Sequence, residues 1–335
     1  MQTTMNAIEF AGAGGPEVLR AVQRPVPQPG ANEVLIRHLA AGINGPDVMQ
    51  RKGLYDPPPG ASDIPGLEVA GIVAAVGAQV NHIQPGDQVV ALIPGGGYAE
   101  YSVADARTVT PLPEGLTPSE GAALLETFMT VWTNMFQRGQ FRRGDNILIH
   151  GGASGIGTTA TMLAKAFGAA KIITTVSTPE QREASLALGA NVAVLYRDED
   201  FVAASRQATD GRGMDIILDI IAGDYVARNY AAAAMNGRIV QIGVIAGPAK
   251  ELDLFPMLSK RLTHIGSTLR SRTADEKAAL LEELRSNVWP LLKAGTLKPL
   301  VYRSFPLAEA GQAHALMDSG QHIGKIVLTM TDSVA

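Results

Sequence analysis

The stretch 146–164, NILIHGGASGIGTTATMLA, constrains this chain more than any other. A β-branched apolar run breaks into a glycine-rich turn, and the turn leads directly into residues with helical spacing, which predicts strand, turn and helix in that order. Gly152, Gly155 and Gly157 let the backbone take conformations closed to other residues and come close to an anion. A pyrophosphate placed there lies at the positive end of the helix, where the dipole alone favours it by roughly 0.3 to 2 kcal/mol. A turn that only lets a strand and a helix pack closely uses the same glycines, so the reading depends on what surrounds it.

The surroundings fit a dinucleotide-binding unit. Between residues 145 and 268, apolar strand-like runs alternate with helical or loop stretches, the pattern of a parallel sheet assembled from βαβ units. Strands are predicted at 146–150, 171–176, 191–195, 214–221, 238–242 and 262–266. Upstream the texture changes: proline and glycine crowd residues 24–30, 56–66 and 94–97, between short β-rich runs at 33–39 and 71–76. That composition predicts an irregular β-rich domain whose loops can carry a site. Residues 119–136 read as a helix bridging the two regions, 274–292 as a charged, leucine-bearing helix, and 325–328 as a closing strand. The tail is expected to rejoin the first domain, giving the division 1–123, 124–270 and 271–335 with the middle segment inserted.

A chain of 335 residues, 46% hydrophobic and 18% charged, has room for two domains with substantial cores. With no cysteine, it has no disulfides, thiolate metal ligands, iron–sulfur clusters or cysteine nucleophile. The opening MQTTMNAIEF lacks a basic region followed by an apolar stretch, and the uncharged 146–164 run is too rich in glycine and threonine to span a bilayer well. A cytoplasmic enzyme without a membrane partner is the expectation. The net charge of −4 gives no general attraction to nucleic acid.

Four further segments, QRKGLYDPPPGAS, LIPGGGYAEY, HIGSTLRSR and HIGKIVL, occur in that order around the glycine turn. Together they resemble the medium-chain dehydrogenase/reductase superfamily, and within it the zinc-free quinone oxidoreductases of the zeta-crystallin type, nearest the p53-inducible branch. The likeness runs from Met5 to Leu328. It implies an α/β protein in which a Rossmann doubly wound parallel sheet accompanies a β-rich GroES-like catalytic domain. It also implies NADPH as hydride donor, a quinone as acceptor, and a homodimer formed through the Rossmann sheet edge near 262–266.

Zinc-dependent members of that superfamily place a cysteine where this chain has Asn44 and a histidine where it has Leu67. An amide and an alkyl group cannot replace thiolate and imidazole at a tetrahedral site, so no catalytic metal is expected. Glu68 then reads as structural, as does His150. An NAD-selective pocket ends its second strand with a carboxylate, which would repel a 2′-phosphate by roughly 4 kcal/mol at 4 Å and an effective dielectric of 20. Here Val176 is followed by Ser177 and Thr178, Arg182 stands within plausible reach, and the resemblance adds Tyr196 at the end of the third strand. NADPH is expected over NADH.

By motif position the resemblance assigns further cofactor contacts to Ser154, Gly155, Ile156 and Gly157 in the turn and to Thr130 beside the nicotinamide. It assigns Gly243, Val244 and Ile245 after the fifth strand, and Ser267, Thr268, Leu269 and Arg270 after the sixth. Beside the acceptor it places Asn44, to position a carbonyl, and Tyr55, to donate a hydrogen bond or cap the nicotinamide; Asp47 and Arg51 are read as pairing or holding the loop. Direct hydride transfer to a quinone needs mainly register and exclusion of water. The same residues would serve an enoyl-thioester (enone) reductase, and a non-catalytic NADPH- or RNA-binding protein would need the same glycines. A short-chain dehydrogenase is excluded, because no tyrosine here has a lysine four residues later.

Overall fold

The computed structural model describes residues 3–330. The chain divides into two compact units, Met1–Thr127 with Arg270–Ala335, and Phe128–Leu269. The ends of the expected outer segments, residues 1–2 and 331–335, lie outside the described residues.

The first unit opens with β1 (Thr4–Phe10) paired antiparallel to β2 (Leu19–Pro25). The long β3 (Glu33–Gly42) follows, with Val34, Leu35 and Ile36 in the core, and gives way to α1 (Gly45–Arg51). Asn44 and Asp47 close a capping box at the start of α1, satisfying N–H groups that the first turn leaves without helical partners. Next come β4 (Glu68–Val76), β5 (Gln88–Leu92), β6 (Tyr101–Asp105) and β7 (Val109–Pro111).

The continuous helix expected over 119–136 is broken. It consists of α2 (Pro118–Gly121), a tight turn, α3 (Leu125–Val131) and a π-helical stretch, Trp132–Arg138. Two causes are visible. Ala123 and Leu124 bond back three residues rather than four, and the N–H of Glu126 goes to the Glu68 carboxylate at 3.0 Å instead of to a helical carbonyl.

The second unit alternates β8 (Asn146–Ile149), α4 (Gly155–Ala166), β9 (Lys171–Val176), α5 (Pro179–Leu188), β10 (Val192–Leu195), α6 (Phe201–Ala208), β11 (Met214–Asp219), α7 (Tyr225–Ala232), β12 (Ala233–Gln241), α8 (Phe255–Ser259) and β13 (Thr263–Gly266). The six strands pair in parallel in the order β10-β9-β8-β11-β12-β13, so strand order reverses between β8 and β11. This is the doubly wound arrangement, whose ligands sit outside the carboxyl ends of the strands at that reversal. Leu148, Ile173, Val194, Ile217 and Ile239 are buried in one cluster. Each of the six strands overlaps its predicted range to within two residues at either end, except that β12 begins at Ala233 rather than at 238.

The chain then returns to the first unit through α9 (Ala274–Asn287), α10 (Trp289–Lys293), β14 (Val301–Pro306), α11 (Ala310–Ser319) and β15 (Lys325–Thr329). The helix expected over 274–292 stops at Val288, because Pro290 has no N–H to continue it and suits the first turn of a new helix. β14 and β15 complete a seven-stranded sheet ordered β14-β15-β3-β4-β5-β7, with β6 also paired to β3. Pairing of β15 with the end of β3 sets Val327 opposite Gly42, which brings Lys325 to the start of the α1 segment. No helix among the described residues is long and apolar enough to cross a membrane.

Candidate active site

In the second unit, Ser154 caps α4 by accepting a hydrogen bond from the Gly157 N–H at 3.0 Å. A Cβ on Gly157 would lie 2.2 Å from the Gly151 carbonyl oxygen, so only glycine lets the turn close over the helix start. Gly155 and Ile156 complete that first turn, whose N–H groups suit the pyrophosphate of a dinucleotide. Beneath the turn, His150 is fully buried between Thr175 Oγ1 (3.1 Å) and Asn229 Oδ1 (2.7 Å), and its ring packs edge-on against Phe201 and Tyr225.

At the end of β9, the Ser177 hydroxyl donates to Gln181 Oε1 at 2.7 Å, and the side chain of Thr178 caps α5. Arg182 is ion-paired with Glu199, whose carboxyl it holds below the usual carboxylate range, while its Nε is buried without a partner. Tyr196, 38% exposed, follows β10 with the Arg197 guanidinium 5.7 Å from its ring centre. Sequence reasoning missed Glu199, although the acidic run 198–200 just after Tyr196 was there to be read. An orphaned arginine N–H and an exposed tyrosine beside Ser177 fit a 2′-phosphate, provided that Glu199 yields.

Thr130 and Ser267 are brought to one residue that the sequence did not single out. Asn134 in the π-helical stretch donates to the Thr130 carbonyl at 2.8 Å and accepts from the Ser267 hydroxyl at 2.7 Å. Gly243, Val244 and Ile245 form a loop after β12 in which Val244 and Ile245 are exposed, whereas Leu269 is buried and Thr268 lies beside it in the chain.

Arg270 belongs to the first unit. Its guanidinium donates to the Pro94 carbonyl at 2.8 and 3.1 Å and to Gln50 Oε1 at 3.0 Å, and it lies 5.5 Å from the ring centre of Tyr55, where a cation is favoured. Tyr55 is half-buried, and desolvation pushes its phenol above the usual value. A groove of about 660 Å³ on this unit is lined by Pro58, Pro59, Ile64, Pro94, Arg270 and Lys277; neither Asn44 nor Tyr55 lines it.

Behind Tyr55 the first unit buries charge. Lys325 Nζ donates to Glu68 Oε1 (2.7 Å), to the Ile43 carbonyl (2.8 Å) and to Asn44 Oδ1 (2.5 Å), which uses all three of its protons. Asn44 returns a bond to Glu68 Oε1 at 3.0 Å, so its amide is engaged at both ends. Asp47 does not pair with Arg51. Its oxygens accept from the N–H groups of Asn44 and Gly66 and from the Tyr98 hydroxyl, and burial pushes its carboxyl up to about 6. Arg51, fully buried, bonds to Asp318, His314 and the Gly14 carbonyl, and His314, driven down to about 3 by burial, lies 2.9 Å from the Tyr98 hydroxyl.

The donor set does not fit zinc. Asn44 and the buried Leu67 stand at two of the positions where a metal would need thiolate or imidazole, and the ammonium of Lys325 already lies against Glu68. No group of three or more His, Asp or Glu suited to a metal occurs among the described residues.

Residues 30–114 match the alcohol dehydrogenase GroES-like domain, and residues 155–286 match the zinc-binding dehydrogenase family. The quinone oxidoreductase of Sus scrofa is 31% identical over 332 residues, covering 98% of this chain and 99% of its own. The structure of Escherichia coli quinone oxidoreductase complexed with NADPH superposes with a TM-score of 0.86 at 31% identity, covering 97% and 99% of the two chains. The CurK enoyl reductase superposes with the same TM-score at 27% identity, over 98% of this chain and 100% of its own. With both domain models, a full-length relative and a full-length superposition in agreement, the chain belongs to the medium-chain dehydrogenase/reductase superfamily and, within it, to the quinone oxidoreductases.

Proposed function

We infer that this protein is an NADPH-dependent quinone oxidoreductase that works without a metal. The observation that carries the reading is the full-length relation to quinone oxidoreductases, joined to a glycine turn at a helix N-terminus whose close approach at Gly157 suits a phosphate-binding backbone. NADPH, when bound, would supply a hydride from nicotinamide C4 for reduction of the quinone. The 124–270 segment holds the dinucleotide through the turn 154–157, the loops 243–245 and 267–269, and the Ser177, Arg182 and Tyr196 group. The flanking segments, 1–123 and 271–335, hold the acceptor.

Tyr55 orients the acceptor from the segment after α1, with the Arg270 guanidinium 5.5 Å from its ring centre, and Asn44 is held in place by Glu68 and Lys325. These groups align and exclude water, which suffices for an acceptor as reactive as a quinone. Tyr55→Phe is therefore expected to lower kcat less than tenfold, whereas loss of a true general acid costs about 100-fold or more. Parallel assays decide the substrate class: rapid NADPH oxidation with a quinone and little with crotonyl-CoA supports this reading, and the reverse makes the chain an enoyl-thioester reductase. A homodimer through the open edge of β13 is proposed with it, and a monomer by light scattering refutes that assembly.

A further inference from the structure

Among the described residues, four arginine and lysine side chains are buried: Arg51, Arg270, Lys277 and Lys325. Two of them are ion-paired, Arg51 with Asp318 at 2.5 Å and Lys325 with Glu68 at 2.7 Å. The other two, Arg270 at 6% exposure and Lys277 on α9 at 8%, hydrogen-bond only to neutral groups. Arg270 directs three of its five N–H protons to the Pro94 carbonyl and Gln50 Oε1, and Lys277 Nζ gives one of its three to the Arg270 carbonyl at 2.9 Å.

Both unpaired cations line the groove of about 660 Å³ on the first unit, together with Pro58, Pro59, Ile64 and Pro94. Small-molecule sites have volumes of roughly 300 to 1,000 Å³ and are mostly apolar with a few placed polar groups. The carboxylates along the groove are engaged already: Asp63 with Arg24 at 2.7 Å, Asp105 with Arg107 at 2.6 Å, and Glu33 with the Gly30 N–H at 2.8 Å. A third cation, Arg272, lines it as well. Burial, opposed by Glu126 and reinforced by Arg270, pulls the Lys277 ammonium below the usual lysine value. Two like charges taken out of water without a counter-ion are costly, and an anion entering from the groove relieves both. The Arg270 guanidinium also lies 5.5 Å from the ring centre of Tyr55, so the charged end of the groove adjoins the residue that orients the acceptor.

We propose that this groove holds an acidic arm of the acceptor: a carboxylate or similar organic anion on a short apolar chain, its charge received by Arg270 and Lys277 and its chain by the prolines and Ile64. Arg270 offers two uncommitted N–H groups on a fixed plane, and Lys277 a compact charge with two more. The arm takes no part in the redox step. It is bound equally before and during hydride transfer, so it lowers KM and leaves kcat alone.

The proposal rests on the quinone reductase reading, and the test separates the two. Turnover is compared for a naphthoquinone carrying a propanoate arm and for its methyl ester, which share ring and chain length and differ in charge. The wild type should show a KM for the acid at least about tenfold below that for the ester, with similar kcat, as one charge-assisted hydrogen bond provides. Lys277→Met should shrink that ratio below about threefold, while Lys277→Arg, which keeps the charge, should hold it above that. The methionine variant removes an unpaired buried charge, so its thermal midpoint should not fall. Naphthylpropanoate, which has no quinone to reduce, is titrated by calorimetry into protein saturated with NADP+, which fills the dinucleotide's own phosphate site. It should bind Lys277→Met at least about tenfold more weakly than the wild type and compete with the acid quinone in turnover. Equal KM values for acid and ester, a ratio that survives Lys277→Met, or naphthylpropanoate binding without competition overturns the acidic arm and leaves quinone reduction intact. A wild type that oxidises NADPH with neither quinone overturns the functional reading itself, whether or not naphthylpropanoate binds at Lys277.

Discussion

Beneath the glycine turn of the second unit, buried polar groups are mostly neutral and matched in pairs. His150 bridges Thr175 and Asn229, Thr174 bonds Ser185, and the carboxylate of Asp219 is satisfied by the Ile221 and Ala222 N–H groups and by Asn229. Behind Tyr55 the first unit does the opposite and buries Glu68, Lys325, Arg51, Asp47 and Glu126 within one region of the sheet and its helices. A dinucleotide is gripped by backbone N–H groups, so the protein beneath needs only to be rigid and dry. A developing phenolate needs charge and a proton, and these come only from side chains whose burial must be compensated one by one.

The contrast is broken most severely by removing a compensating charge. Lys325→Met leaves Glu68 buried with only the Asn44 amide and the Glu126 N–H for partners. Breaking one side of such a pair costs about 3 to 5 kcal/mol. The thermal midpoint should fall by roughly 4 to 7 °C for a chain of this size. Adding Glu68→Gln should restore at least half of the loss, because no charge is then stranded. A Lys325→Met variant as stable as wild type would mean that the first unit does not depend on charge compensation.

The corresponding test in the second unit strikes the backbone. Gly157→Ala places a methyl 2.2 Å from the Gly151 oxygen, an atom of the main chain that cannot swing aside. The turn must open, and the Kd for NADPH should rise at least about tenfold, near 1.4 kcal/mol, with the pH dependence of turnover unaltered. Unchanged affinity would show that the turn is only a packing device.

How much of this was legible in the sequence follows the same division. Residues 146–164 announced strand, turn and helix because local spacing dictates each, and six alternating strands then fixed the sheet. The two long helices were misread where tertiary bonds overrode local pattern: the Glu126 N–H is taken by Glu68, 58 residues away, and Pro290 ends α9 early. The charged cluster was illegible for the same reason. Lys325 meets Ile43 across 282 residues, and no spacing rule predicts a contact made by the pairing of β15 with β3. Glu68 read as a lone structural carboxylate because its partner lies in HIGKIVL near the far end of the chain. Tyr55 and Asn44 were found through resemblance to known sequences, whereas Glu126, in a run that reads as plain helix, gave no signal of its own.

The smallest expected effect sharpens the comparison at the one place where the second unit relies on a side-chain charge. Arg182 is ion-paired with Glu199, and both are partly exposed, so the pair is weak and screened by solvent. A 2′-phosphate arriving beside Ser177 and Tyr196 has to draw the guanidinium away from that carboxylate and meets its repulsion as well. Glu199→Gln keeps the shape, frees Arg182 and removes the like charge. It should raise kcat/KM for NADPH by about three- to tenfold at low salt, leave NADH unaffected, and lose most of its advantage as ionic strength rises. Equal gains for both cofactors would show that Glu199 acts on the adenosine and not on the phosphate, and would remove Arg182 from the phosphate site.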